Sequence, residues 1–264
     1  MKGQHFEEIY NALYHEADKR VSRGGKVLEL RNQEIVVPPY DYLTTFEARK
    51  LNLDYCKAEW AWYLRGDRYD TSIEQYAKLW KKIRAPDGGF NSNYGQYIFG
   101  EKQFDWVVDS LVRDPDSRQA SMQLLNTSHM YKDNPDVVCT HGINFQIRDD
   151  RLDMTVMMRS NDAIFGMTND VFCFGQLLLA VHAALQAVDP EQFTGLEVGD
   201  YTHFTCSLHV YERHFDMLRN IAARGMSGHY IVEQPRPTSI DCFTQVAKGE
   251  AKSEYAKWIL DYER

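Results

Sequence analysis

The residues best suited to chemistry are a cysteine, Cys139, and a later run, Arg159-Ser160-Asn161-Asp162-Ala163-Ile164-Phe165-Gly166-Met167-Thr168-Asn169-Asp170-Val171. An ionised thiol is a strong nucleophile. The Arg-Ser pair offers a forked donor and a hydroxyl, a combination that suits a phosphate. Two carboxylates, Asp162 and Asp170, stand on either side of Gly166. Nucleophile, phosphate clamp and acids together point to an enzyme that modifies a nucleotide rather than to a binding module.

Each residue also has a plainer reading. Cys139 lies in Pro135-Asp136-Val137-Val138-Cys139-Thr140-His141, between a polar loop and a strand. A lone cysteine there also serves as core filler; a nucleophile needs its thiol pKa lowered, for example by an arginine. In a strand, His141 would share the face of Cys139, either with a direct role or as a satisfied polar residue. Arg118 follows a Pro-Asp-Ser turn and Arg159-Ser160 ends a strand, positions that suit phosphate recognition or a surface ion pair. Glu59 is the one acid in Ala58-Glu59-Trp60-Ala61-Trp62-Tyr63-Leu64. Buried among aromatics its pKa would rise and fit it for moving protons; on a helix surface it would do neither. His209-Val210-Tyr211 puts two hydrogen-bonding side chains on one strand face, suited to a sugar hydroxyl.

The elements that must position these groups can be read from periodicity. Phe6, Ile9, Tyr10, Leu13, Tyr14 and Ala17 recur at helical spacing. Residues 27 to 37 alternate as a strand with a turn at Asn32-Gln33, and 45 to 65 read as a helix ending near Gly66. Ala85-Pro86-Asp87-Gly88-Gly89 is a loop by its turn chemistry. A helix around Phe104, Trp106, Val107 and Leu111 stops at Asp114-Pro115-Asp116-Ser117. Ile143, Phe145 and Ile147, the turn Asp149-Asp150, and Leu152, Met154, Val156 and Met158 make a hairpin with one buried face. Residues 170 to 188 are nearly all apolar and too long for a strand, which predicts a buried central helix. Residues 198 to 211 read as strand and 211 to 223 as helix. Helices and strands mix without regular β-α-β alternation, which points to one α+β domain over 1–264.

Composition narrows the class. Apolar residues at 44% suffice for a sizeable core, and the net charge of −8 argues against binding nucleic acid. It leaves room for an anionic small substrate held by a few arginines. The five cysteines have neither CxxC nor zinc spacing, so no metal is expected. An N-terminus without an apolar signal segment, and no apolar run approaching a membrane span, predict a cytoplasmic protein with no membrane partner.

In order along the chain, these pieces resemble the thymidylate synthase family. Glu59-Trp60-Ala61-Trp62-Tyr63-Leu64-Arg65-Gly66-Asp67 resembles the family's glutamate segment. Trp80 and Asn93-Tyr94-Gly95 resemble its folate-side tryptophan and the tyrosine beside the nucleophile. Asp114-Pro115-Asp116-Ser117-Arg118 is similar to the loop that sends arginine across a dimer interface to the neighbour's phosphate. Cys139, the Arg159 to Asp170 run and His209-Val210-Tyr211 complete the order. The similarity spans about residues 5 to 225, and the last 40 or so match poorly.

The resemblance implies a large mixed β-sheet at a homodimer interface. It also implies one-carbon transfer from 5,10-methylenetetrahydrofolate to C5 of a pyrimidine nucleoside monophosphate. Cys139 would attack C6 of the ring, with Glu59 and Tyr94 beside it. Arg23, Arg159, Ser160 and the partner subunit's Arg118 would hold phosphate, and Asn144, His209 and Tyr211 would line the nucleotide. Trp80, Asp162 and Gly166 would hold the folate.

The position of Asp170 is asparagine in the family's uridylate enzymes and aspartate in its cytidylate ones. The hydrogen-bond inventory agrees. Uracil offers an N3–H donor and an O4 acceptor, which match an amide, whereas the 4-amino group of cytosine donates to a carboxylate. With N3 protonated in the reacting base, the carboxylate accepts twice. Met167-Thr168-Asn169-Asp170 and Ser207-Leu208-His209-Val210-Tyr211 are closer to the deoxycytidylate hydroxymethylases. The expected product is therefore 5-hydroxymethylcytidylate, completed by water. Hydride completion to 5-methylcytidylate, a uridylate substrate and an inactive nucleotide binder are the alternatives. Two positions depart from the family pattern, Gln119 in place of a second arginine and Asn144 in place of a glutamine, and the early phosphate arginine aligns with both Arg20 and Arg23. CMP thus stands beside dCMP as a substrate.

Overall fold

A computed structural model describes residues 6–22 and 24–263 of the chain. Arg23 lies outside the described residues. Helix α1 (Phe6–His15) buries Phe6, Ile9, Tyr10 and Leu13, the apolar stripe expected from the sequence, with Glu7 and Glu8 in its first turn. Strands β1 (Asp18–Ser22) and β2 (Gly25–Val37) follow. The turn expected at Asn32-Gln33 does not form. Asn32 takes a left-handed φ of 55° and drops out of the pairing, but the register with β8 (Glu197–Tyr211) continues unshifted on both sides.

Strand β3 (Thr44–Phe46) pairs with the distant β9 (His229–Ile231), so the helix expected from residue 45 begins only at α2 (Leu53–Arg65). Asn52 caps α2 by accepting from the Tyr55 N–H, and Gly66 closes it at φ 64°. Helix α3 (Gln103–Arg113) ends where the Asp-Pro turn begins. Beyond β4 (Ser121–Gln123) comes the hairpin of β5 (Thr140–Arg148) and β6 (Arg151–Met158), joined through Asp149 and Asp150 at φ 50° and 58°. Two left-handed residues give the turn whose twist matches flanking strands.

The short β7 (Asn161–Asp162) leads into α4 (Gly166–Val188), which starts four residues before the apolar run at 170. After β8 come α5 (Phe215–Arg224), α6 (Asp241–Ala247) and α7 (Glu254–Leu260).

Among the described residues the main sheet has seven strands in the order β1-β2-β8-β6-β5-β4, with β7 also against β8. β6 and β7 run parallel to β8 and the other pairs are antiparallel, so the sheet is mixed and the fold is α+β, as expected. One face carries Ile143, Phe145, Leu152, Met154 and Val156 into the core around α4. The other presents Asn144, Gln146, Thr155, Met157 and Phe204, half-exposed or exposed.

Contrary to the sequence-based expectation, one helix among the described residues is long and apolar enough to cross a membrane. α4 has 23 residues and a mean hydropathy of 1.8 over its most apolar window, yet 78% of that window is buried inside the molecule. An apolar surface all round is what a helix enclosed by its own protein requires. The C-terminal segment packs on α2, with Phe243 and Tyr255 of α6 and α7 against or bonded to Trp60.

Candidate active site

Arg159 and Cys139 meet where β6 ends. The Arg159 guanidinium donates from Nε to the Val138 carbonyl at 3.0 Å and from Nη2 to the Val137 carbonyl at 2.6 Å. Nη2 also lies 3.4 Å from Cys139 Sγ. The sequence asked for an arginine beside the thiol, and Arg159 is it. Burial still dominates: it pushes the half-buried Cys139 thiol up to about 11, against the pull of Arg159 and with Asp170 and Asp136 raising it further. Asp136 in turn accepts from the Ser92 backbone N–H at 2.7 Å and from the Ser92 hydroxyl, which fixes the loop before Cys139.

Tyr94 is buried beside this loop, stacked on Phe174 at 5.8 Å and tilted against Tyr63 at 5.4 Å. Both Cys139 and Asp170 raise its pKa after burial has done so. Gly95 allows the approach, because a Cβ there would sit 1.9 Å from the Tyr63 carbonyl oxygen.

Glu59 is 6% exposed, so it is the buried acid and not the helix-surface one. Tyr55, one turn before it, donates to Oε1 at 2.9 Å, and Tyr63, one turn after, at 3.4 Å. Trp80 Nε1 donates to Tyr55 Oη at 3.2 Å, which makes a chain from indole to carboxyl. Cys173 Sγ lies 4.0 Å from Oε2. Burial first, and then the charge of Asp170, push Glu59 up to about 8.

Asp170 lies one turn into α4, half-buried. Asn161 Nδ2 donates to its Oδ2 at 2.6 Å. Burial raises its carboxyl to about 7, with Asn161 opposing and Asp162 adding to the rise. Gly166 stands between the two acids: a Cβ there would lie 3.5 Å from Asp162 Cβ and 3.6 Å from Asp170 Oδ2. Asp162 accepts from the Ile164 N–H at 3.0 Å and stays half-exposed. Across the β7–β8 register it faces His209, whose ring meets Tyr211 edge-on at 4.9 Å on the same strand face.

Cys139, Tyr94, Glu59, Asp170, Arg159 and Asp162 are thus brought together. Ser160 follows Arg159, half-buried. Arg118 is exposed and lies outside this cluster, after the turn that Ser117 closes by bonding Asp114. Asn144 is turned to the open face of the sheet, opposite in side to its neighbours Ile143 and Phe145. His141 does not share a face with Cys139. A β-bulge between Thr140 and Gly142 throws it out to an open depression lined by Trp106, Gln123 and Met157.

Sequence reasoning missed several participants. Tyr55 and Tyr63 stand four residues either side of Glu59, and Cys173 stands three beyond Asp170, so helical spacing would have found them. Arg49 had no such signal. It is 3% exposed and bonds the carbonyls of Ile164 and Phe165 at 2.6 and 3.1 Å and Asn169 Oδ1 at 2.9 Å, which holds the entry to α4.

The family model described as Thymidylate synthase matches residues 4–245. The deoxycytidylate 5-hydroxymethyltransferase of Enterobacteria phage T6 is 33% identical over 173 residues, covering 62% of this chain and 70% of the relative. The deoxyuridylate hydroxymethyltransferase of Bacillus phage SP01 is 29% identical over 224 residues, covering 79% and 56%. A thymidylate synthase of Fusobacterium nucleatum is 27% identical over 164 residues, covering 60% and 56%. The site geometry and a match over most of its length agree: the chain belongs to the thymidylate synthase family.

Proposed function

We propose that this enzyme transfers a one-carbon unit to C5 of a cytidylate, dCMP or CMP, and that water completes the reaction to 5-hydroxymethylcytidylate. One-carbon transfer to a pyrimidine nucleotide follows from the family; the choice of base rests on Asp170. Its Oδ2 is engaged by Asn161, and a carboxylate has no N–H to offer O4 of uracil. The remaining oxygen is an acceptor suited to the 4-amino group of cytosine.

The one-carbon donor of the family is 5,10-methylenetetrahydrofolate, which supplies an electrophilic carbon at C5 when bound. The residues present fit it. Asp162 keeps a half-exposed carboxylate for the ring N–H donors of a pterin, and Trp80, buried against Trp62 and Phe90 at 5.0 and 5.8 Å, braces Tyr55 from behind through its indole N–H.

Cys139 adds through sulfur to C6, which drives electron density onto C5 and readies it to bond the incoming carbon. Loss of the C5 proton with departure of tetrahydrofolate would leave an exocyclic methylene on the ring; water adds to that carbon as the C6–sulfur bond to Cys139 breaks, which restores the C5–C6 double bond. Glu59, whose pKa burial raises to about 8, exchanges a proton with that water. Arg159 has Nη1 left for phosphate after its other nitrogens hold the Cys139 loop.

A second copy of the chain is proposed on the open sheet face, where Trp106 and Met157 are 45% and 50% exposed. It would bring the partner subunit's Arg118 to the phosphate. The test of the reaction is incubation with 5,10-methylenetetrahydrofolate and, in turn, CMP, dCMP, UMP and dUMP, with mass spectrometry of each product. A hydroxymethyl group on a cytidylate is expected; turnover of uridylates alone overturns the reading.

A further inference from the structure

Asn161 has an odd set of contacts for a residue 3% exposed. Its Nδ2 donates to Asp170 Oδ2 at 2.6 Å and lies 3.1 Å from Met158 Sδ, while its Oδ1 is buried with no partner. A buried amide with an unpaired carbonyl destabilises a fold, so a position of this kind ordinarily carries an apolar side chain. What the amide supplies here is one N–H aimed at the acid that faces the base.

We propose that Asn161 is a specificity-determining positioning residue: its amide ties one oxygen of Asp170 and favours the ionised carboxyl, the form that only accepts hydrogen bonds from the base. The inference rests on the cytidylate reading of Asp170 and deepens it. A neutral carboxyl carries an O–H and a C=O. It can donate to O4 and accept from N3–H of uracil as readily as it donates to N3 and accepts from the 4-amino group of cytosine. An ionised carboxylate has no donor, and O4 of uracil opposes it. Charge on Asp170 is therefore what rejects the 4-oxo base.

The surroundings make that charge hard to keep. Asp162 on β7 raises the Asp170 pKa after burial does. Glu59 and Tyr63 on α2, Cys173 further along α4, and Cys139, Tyr94 and Tyr201 all feel the Asp170 charge as repulsive. Against them stands the Asn161 amide, which bonds to the charged form and favours it.

Two measurements test this. In Asn161→Leu, kcat/KM for dCMP is expected to fall at least tenfold, the dCMP-over-dUMP ratio to narrow by a similar factor, and the acid limb of the dCMP profile to move to higher pH. In the unaltered enzyme, the same ratio is expected to narrow as pH falls through the carboxyl's titration, which holds even if the variant does not fold. An equal loss on both substrates with an unmoved pH limb, or a wild-type ratio flat from pH 5 to 9, overturns the role of Asn161. A wild-type preference for dUMP at every pH overturns the cytidylate reading itself.

Discussion

Arg159 Nη2 stands 3.4 Å from Cys139 Sγ and bonds the Val137 carbonyl at 2.6 Å, so one guanidinium both clamps the nucleophile's loop and faces its sulfur. Its positive charge lowers a thiol that burial holds at about 11. Arg159→Gln should therefore raise the Cys139 pKa further. Alkylation by iodoacetamide, followed at the Cys139 peptide to separate it from the exposed Cys206, should slow by roughly tenfold for each unit gained. An unchanged rate at that peptide would deny the arginine this role.

Asp170→Asn exchanges an acceptor-only group for one that also donates. Steady-state kcat/KM should fall for dCMP and rise for dUMP, moving their ratio by about 100-fold or more. If both fall together, Asp170 does not read the base.

Glu59 links pH to stability. Its pKa rises from 4.5 to about 8 on folding. Below the lower value both states are protonated and nothing is lost. Above it the unfolded chain releases the proton that the native carboxyl retains, so stability declines until the native pKa is passed. Glu59→Gln should then be more stable than the parent at pH 8, by on the order of a few kcal/mol, with the gap closing toward pH 4.5. Urea unfolding at several pH values gives the answer, and a gap independent of pH would contradict it.

The trans role of Arg118 can be read from mixed subunits. Arg118→Ala and Cys139→Ala should each be nearly inactive alone. Refolded together they should regain activity, because a mixed dimer holds one site with both residues intact. No recovery would mean that Arg118 serves its own subunit or none.

Gly175 in α4 lies against Tyr42, with a Cβ there only 2.2 Å from Tyr42 Cγ. Alanine favours a helix over glycine, yet Gly175→Ala should cost about 1–3 kcal/mol by overpacking a fully buried ring. Thermal unfolding decides whether the clash or the helix preference wins.

Much of the fold could be read from the sequence, because its signals are local. The stripe of α1, the Asp149-Asp150 turn and the apolar length of α4 each need only neighbouring residues. The elements that were misread depend on distant partners. Thr44–Phe46 is strand because of β9, and Asn32 stays within β2 because β8 carries the register through it. The site divides in the same way. Glu59 among aromatics left two readings open until packing buried it, and the sequence asked for an arginine beside the thiol without saying that it is Arg159. His141 was misplaced because a bulge decides where its side chain points, and a bulge leaves no mark in composition.

The most direct test traps the intermediate in which sulfur and carboxylate share one ring. With 5-fluoro-dCMP and 5,10-methylenetetrahydrofolate, C5 cannot shed its substituent, so the enzyme should stay covalently bound. Peptide mapping should place the adduct on Cys139. Asp170→Asn should lose that adduct and form the corresponding one with 5-fluoro-dUMP. An adduct on another residue, or trapping of both bases regardless of position 170, would contradict the account.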